Sequence, residues 1–221
     1  MKNKLVSLLT TLGLLLTNAA IAGNSTNIGG KIGYSSDFFY RGVQKSEEAL
    51  QSSINASAAF SSVVLHAHAC ANNAVENGTD SYHMGAGVSK SFIDDLLSVY
   101  TGINHFEDID GASLSEVELN LGLNILLNPK VSIFRDFDDS LYTYEFGVAH
   151  SFDLDFVSLN LDASVGDTDL ANGTDRTYYS VGSAVVKSIN DHTDLSVSVD
   201  YVDADDIDRE YVFGGSISFN F

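Results

Sequence analysis

The chain has 221 residues and sets 30 acidic side chains against 11 basic ones, a formal net charge of −19. That balance excludes the basic face that nucleic-acid binding demands. A single cysteine, Cys70, excludes an internal disulfide, and a single proline, Pro129, leaves the rest of the chain free to form unbroken hydrogen-bond ladders.

The N-terminus reads as an export signal over residues 1–22. Lys2 and Lys4 make a basic start, Leu5 to Leu16 is mostly apolar, and Ala20-Ile21-Ala22 is a small-x-small site that predicts a cut before Gly23. The apolar run is too short to span a bilayer, and nothing after it reaches the about 18 consecutive apolar residues of a transmembrane helix. Residues 23–221 show no linker and read as one domain.

No convincing helical period appears in that domain. What recurs is period two, in segments of about 8 to 13 residues separated by polar turns, and it predicts twelve strands. The first, Asn27 to Phe39, sets Ile28, Ile32, Tyr34 and Phe38 against Lys31, Ser35 and Asp37. The second, Gln51 to Phe60, sets Ile54, Ala56, Ala58 and Phe60 against Ser53, Asn55 and Ser57. The third, Val63 to Ala71, opposes Val63, Leu65, Ala67 and Ala69 to His66 and His68. Asp80 to Lys90 and Leu96 to Phe106 follow. The sixth is the clearest, with Val117, Leu119, Leu121 and Leu123 alternating with Glu116, Glu118, Asn120, Gly122 and Asn124. The seventh, Lys130 to Asp136, is short. The eighth turns Tyr142, Tyr144, Phe146 and Val148 away from Thr143, Glu145 and Gly147. The ninth opposes Val157, Leu159, Leu161 and Val165 to Ser158, Asn160, Asp162 and Ser164. The tenth spans about Asp175 to Lys187. The eleventh opposes Leu195, Val197, Val199 and Tyr201 to Ser196, Ser198 and Asp200. The last, Glu210 to Phe221, carries Tyr211, Phe213, Ile217, Phe219 and Phe221 on one side and ends on an aromatic.

A soluble sandwich would alternate too, but with its oily face inward. Isolated acids in mid-strand (Glu118, Glu145, Asp162, Asp200), and no short, guarded edge strand, favour the opposite orientation. The predicted fold is all-β: a transmembrane antiparallel barrel of about twelve strands, oily outside and polar inside, which hydrocarbon requires to be closed. An even strand number puts both termini on the periplasmic side. The longer connections, Tyr40 to Leu50 and Asp203 to Arg209 among them, are then expected outside. The connection around Phe137 to Ser140 is short and breaks that rule. The oily face implies outer-membrane lipid and lipopolysaccharide as neighbours. The terminal Phe221 resembles the strand ending that such barrels present to the outer-membrane assembly machinery.

The stretch Gly33 to Ser46 contains Ser36, Asp37, Phe38, Tyr40, Arg41, Gly42 and Gln44. It resembles the N-terminal signature of the TorF family of porins, also described as Gcw-type outer-membrane proteins. Ser115-Glu116-Val117-Glu118, the tyrosines of the tenth strand and Tyr201-Val202-Asp203 add weaker matches. The chain departs in its third strand, where a tryptophan is common in the family and this sequence reads HAHACANN with no tryptophan anywhere. The resemblance implies an outer-membrane barrel and a pore.

The residues expected to line the lumen are Lys31, Asp37, Glu116, Glu118, Glu145, Asp162 and Asp200, six acids and one lysine. Arg41, beside Asp37, is either their electrostatic counterweight or an interface residue. Rings of acids favour cations in pores, so small solutes or ions are the expected cargo, with no cofactor. A lumen plugged by acids bonded to Lys31, Arg41 and tyrosines is the alternative, leaving a structural or surface-binding barrel with acidic loops. Among the acid clusters expected in outer loops, Asp203, Asp205, Asp206 and Asp208 are weak divalent-cation candidates. They lack the central glycine and distal glutamate of an EF-hand. His66 and His68 share a face and could seat a metal with His83, given the right register, but a convincing zinc site needs three or four ligands. His105 has no serine motif beside it in sequence, so no hydrolase is predicted.

Overall fold

The computed structural model describes residues 25–109, 113–137, 139–170, 173–205 and 207–221, the side chains of 207 and 208 excepted. The leader expected over residues 1–22 lies outside the described residues, as do Asp110, Asp138 and Asp206. Twelve strands run in chain order: β1 (Thr26–Tyr40), β2 (Val43–Phe60), β3 (Val63–Ala74), β4 (Ser81–Phe92), β5 (Leu97–Asp108), β6 (Ser113–Leu123), β7 (Lys130–Asp136), β8 (Tyr142–Leu154), β9 (Val157–Asp169), β10 (Asp175–Asn190), β11 (Thr193–Ala204) and β12 (Ile207–Asn220). Each pairs antiparallel with its neighbours in sequence, and β1 pairs with β12, so the sheet is a closed barrel. The seam runs in register from Gly29 opposite Asn220 to Ser35 opposite Gly214. Ile28 and Phe221 extend it by exchanging both backbone hydrogen bonds, at 3.0 and 2.8 Å.

Burial is inverted relative to a water-soluble sheet. Leu119, Leu121 and Leu161, the side chains that a dry-centred sandwich would bring together, are 38, 42 and 40 % exposed on the outer surface. Val197, Phe213 and Ile32 are more exposed still, whereas Ser35, Asn104, Glu116, Ser132 and Thr143 are buried. Period-two alternation explains this directly, since one parity of every strand faces out and the other faces the enclosed space. Exposed aromatics sit toward both rims. Tyr142, Tyr144, Tyr179, Tyr211 and Phe213 lie toward one end, and Phe92, Phe152, Phe156 and Phe221 toward the other. Such girdles belong at the two edges of an apolar band.

Two expectations change. Tyr40 to Leu50 and Asp203 to Arg209 are not long loops. β1 and β2 stay paired up to Tyr40 opposite Val43, and β11 meets β12 at Ala204 opposite Ile207. A strand needs a partner for its N–H and C=O groups more than it needs apolar side chains, so polar segments extend the ladders beyond the greasy band. Glu47, Glu48, Glu107, Asp167, Asp169 and Asp203 therefore lie on strands rather than in loops. The connections at that end span 41–42, 75–80, 109–112, 137–141, 170–174 and 205–206, and at the other end 61–62, 93–96, 124–129, 155–156 and 191–192. Their lengths overlap and do not orient the barrel.

Phe38 also departs from its expected outward parity. The β1–β2 register shifts between Phe38 and Phe39, with Lys45 the extra residue on β2, and Phe38 lines the interior together with Phe39 and Tyr40. A bulge of this kind bends a hairpin and re-aims its side chains.

The exterior assignment has a direct measurement. Leu119→Arg should destabilise the barrel folded into phosphatidylcholine vesicles by about 2–4 kcal/mol, the cost of a cation at the bilayer midplane. An unchanged denaturant midpoint would put that face in water.

Candidate functional site in the barrel lumen

Of the residues expected in the lumen, Lys31, Asp37, Arg41, Glu145 and Asp200 line one interior cavity, Glu118 lines another and Glu116 is buried, and the hairpin between β1 and β2 organises them. Its turn is Arg41-Gly42, with φ of 50° and 72°. Positive φ at both central positions is the turn whose twist suits a two-residue hairpin. Gly42 is required twice over, because a Cβ there would also lie 2.6 Å from Cβ of Tyr178 on β10. The tip thus packs against β10, three strands round the ring from β1, instead of rising into solvent.

From that tip Arg41 reaches β6. Its Nη1 and Nη2 donate to Oε2 and Oε1 of Glu116, each at 2.6 Å. The guanidinium lies 3.8 Å from the Phe134 ring centroid, and Tyr40 stacks on Phe106 at 4.8 Å. The side chains of Arg41 and Glu116 are only 13 % and 3 % exposed. A planar fork on a carboxylate, with an aromatic face beneath it, is the geometry that suits arginine rather than lysine. β1 and β6 are almost opposite each other in the ring of strands, so this ion pair is a crossbar through the interior.

The other acids are arranged around it. Glu118 accepts from Nδ2 of Asn104 at 2.8 Å and from Nδ2 of Asn120 at 2.6 Å. Glu145 accepts from the Tyr178 hydroxyl at 3.1 Å, and Asp37 from Nε2 of Gln44 at 2.9 Å. Asp162 and Asp200 converge from either side on Gly182, the residue opposite both in the ladder. Lys31 acts electrostatically on Asp200 and shares with it a cavity of about 470 Å³, which Asp37, Arg41, Glu145 and Tyr178 also line. Two smaller cavities lie along the β2–β6 wall. One of about 270 Å³ is lined by His83, Tyr40 and Phe106, and one of about 370 Å³ by His66, His68, Tyr100 and Glu118.

The remaining candidates separate. Asp203 meets Nε of Arg209 at 3.3 Å and accepts from the Tyr201 hydroxyl at 3.0 Å, while Asp205 accepts from the backbone N–H of Thr177 at 2.9 Å. Asp206 and the side chain of Asp208 lie outside the described residues. His66 does not pair with His68 as their spacing suggested; it bonds Ser89 at 2.7 Å. His68 turns instead to His83 on β4, with Nε2 to Nε2 at 3.5 Å. Cys70 is a half-buried free thiol that lines the same cavity as His83.

Register brings together one group that sequence spacing hid. His105 stands opposite Ser115 on the outer face, with Nδ1 to Oγ at 2.9 Å and Nε2 to Glu107 at 3.4 Å. The neighbouring backbone N–H groups of β5 and β6 are committed to ladder bonds on both sides. An acyl-transfer site needs free donors aimed at a developing oxyanion, and a fully paired sheet face offers none.

The crossbar predicts a specific pattern of stability. Glu116→Gln should destabilise the protein by about 3–5 kcal/mol, because it strands a buried guanidinium. Arg41→Met with Glu116→Leu should recover most of that loss. Urea unfolding of the refolded protein in detergent measures both, and equal losses in the single and double variants would refute the assignment.

No family model matches the chain, and no curated protein matches it in sequence. Solved structures do match in fold. The KdgM porin aligns with a TM-score of 0.58 at 11 % identity, covering 88 % of this chain and 99 % of that one. The NanC porin aligns at 0.58 and 10 % identity, covering 87 % and 98 %. An outer membrane channel from Pseudomonas putida F1 aligns at 0.59 and 8 % identity, covering 90 % and 96 %. At these identities the likeness is one of architecture: the chain has the closed antiparallel barrel fold of outer-membrane porins.

Proposed function

We propose that the protein is a porin-like channel of the bacterial outer membrane, through which small solutes diffuse passively with a mild preference for cations. The observation that carries this reading is the inversion of burial in a closed sheet. An exposed apolar belt surrounds an interior lined by Lys31, Asp37, Glu118, Glu145 and Asp200. Its fold neighbours are named as porins and a channel, which supports the same reading. Export by a cleaved leader, periplasmic termini, assembly through Phe221, lipopolysaccharide around the belt and kinship with the TorF porins complete the proposal. No turnover and no cofactor enter it. The acids supply fixed negative potential along the path, and in a narrow, low-dielectric passage such potential concentrates cations.

One observation favours a second reading, a closed structural or surface-binding barrel. The Arg41–Glu116 crossbar and the hairpin tip around it span the interior toward one end of the barrel.

Planar-bilayer recording separates the two. Steady unitary steps are expected, and Glu118→Gln with Glu145→Gln should move the reversal potential in a salt gradient toward zero. Arg41→Ser should enlarge the unitary conductance, since it removes the bar. Silence from both the wild type and Arg41→Ser would favour the closed barrel.

A further inference from the structure

We propose that the facing imidazoles of His68 and His83 form a binding site for a divalent transition-metal cation, the Zn²⁺ class, on the inner wall of the barrel. Their Nε2 atoms stand 3.5 Å apart, with ring centroids at 4.7 Å and planes inclined by 59°. Two nitrogens bound to one tetrahedral zinc at about 2.0–2.1 Å define an edge of roughly 3.3–3.4 Å, close to the separation the two rings already hold in a mutual hydrogen bond that the metal would replace. His68 and His83 come from adjacent strands, one register step from the direct pair Cys70–His83, and the rigid ladder fixes their approach.

A second observation points to the same space. Asn104, on β5, is 7 % exposed, and its Oδ1 is a buried acceptor with no hydrogen-bond partner among the described residues. Its amide cannot be turned around without loss. Nδ2 donates to Glu118 at 2.8 Å, and a carboxylate would repel Oδ1 in that position. Oδ1 is therefore held away from Glu118, over Gly85. A Cβ on Gly85 would collide with Asn104 Oδ1 and come within 3.0 Å of His68 Nε2. That oxygen lies within hydrogen-bonding reach of the His83 ring and beside His68 across Gly85, so it offers a third donor, and Glu118 is bonded to the other end of the same amide.

The site has only two nitrogen ligands. Among the described residues no cluster of three or more histidine, cysteine, aspartate or glutamate side chains is poised for a metal. That composition favours an exchangeable site over a structural one, which takes four ligands. Position agrees. His83 lines the cavity beside Tyr40 and Phe106, and His68 lines the one beside Tyr100 and Glu118, so the pair stands between the two. On the channel reading a cation moving along this wall meets the pair, and a conducting path needs binding strong enough to admit the ion and weak enough to release it. The claim that the ion travels rests on the channel reading; the claim that it binds does not.

The test is titration of the detergent-solubilised full-length protein with ZnCl₂ by calorimetry. One site per chain is expected, weakened at least about tenfold by His68→Gln or His83→Gln, each of which removes a direct ligand. Cobalt substituted on the wild type should give the intense ligand-field bands of a tetrahedral ion, a readout that needs no variant to fold. A tenfold excess of Ca²⁺ should leave the bands in place, because calcium prefers all-oxygen sites. Zinc binding that survives the double variant, cobalt bands erased by Ca²⁺, or the absence of binding would each overturn the proposal. Absence of unitary conductance with zinc binding intact would overturn the channel reading alone.

Discussion

Every backbone N–H and C=O in a sheet surrounded by hydrocarbon must find its partner in another strand, since each one left open costs several kcal/mol. The β1–β12 seam meets that constraint here. It pairs Gly29 through Ser35 with Asn220 through Gly214, and its last step is the mutual bond between Ile28 and Phe221. The chain's final residue is thus part of the closure, while its ring stays 72 % exposed at the rim. Closure by twelve strands also fixes how much interior there is: more than eight-stranded barrels fill with side chains, less than sixteen-stranded porins leave open. The hairpin tip, the tyrosines and the carboxylates share that intermediate space.

Inside it, the crossbar balances large opposing terms. Removing a guanidinium and a carboxylate from water costs several kcal/mol each, and attraction between them offsets this only with near-ideal geometry. The fork of Arg41 on Glu116, with the Phe134 face beneath, meets that condition. Such a pair adds little net stability, but it fixes where the hairpin tip sits. A tip pinned to β6 through Arg41 and resting on Tyr178 of β10 through Gly42 has little freedom to swing outward. The family-like motif at Ser36 to Gln44 is accordingly a structural device for the interior rather than a surface loop.

The alternation of Val117 to Leu123 and Leu195 to Tyr201 made the barrel and its inner parity legible, because period two needs no tertiary information. Strand ends were less legible. Polar residues such as Glu47 and Asp203 look like loop in isolation and become strand once a neighbour supplies hydrogen bonds. Phe38 was misplaced because one extra residue on the partner strand, Lys45, breaks the period, and no property of Phe38 itself signals it. The histidines were legible only in part, for a related reason. Spacing along β3 suggested His66 with His68, whereas contact is set by register across β3 and β4, which brings His68 to His83. The Ser115–His105 contact was hidden by the same kind of register. Of the two roles the sequence left open for Arg41, the structure shows the counterweight, and its partner, Glu116, lies 75 residues away where sequence proximity could not name it.

The charge of the molecule divides into two populations with different physical reach. Among the interior acids Glu116 is neutralised by Arg41, whereas Glu118 and Glu145 are held by neutral amide and hydroxyl donors and Asp200 faces Asp162 as well as Lys31, so their charge stays in the lumen. A second set of acids lies at one rim. Glu47, Glu48, Glu107, Asp108, Asp167, Asp169, Asp203 and Asp205 gather at the end of the barrel that carries the Arg41-Gly42 turn. A field from clustered surface acids extends about 8 Å at physiological ionic strength, far enough to enrich cations at the mouth but too short to act along the whole lumen. On the channel reading, attraction and discrimination are then separate tasks. The rim collects cations of any kind, and the interior, narrowed by the crossbar and carrying the paired His68 and His83 beside Asn104, decides among them by size and ligand chemistry.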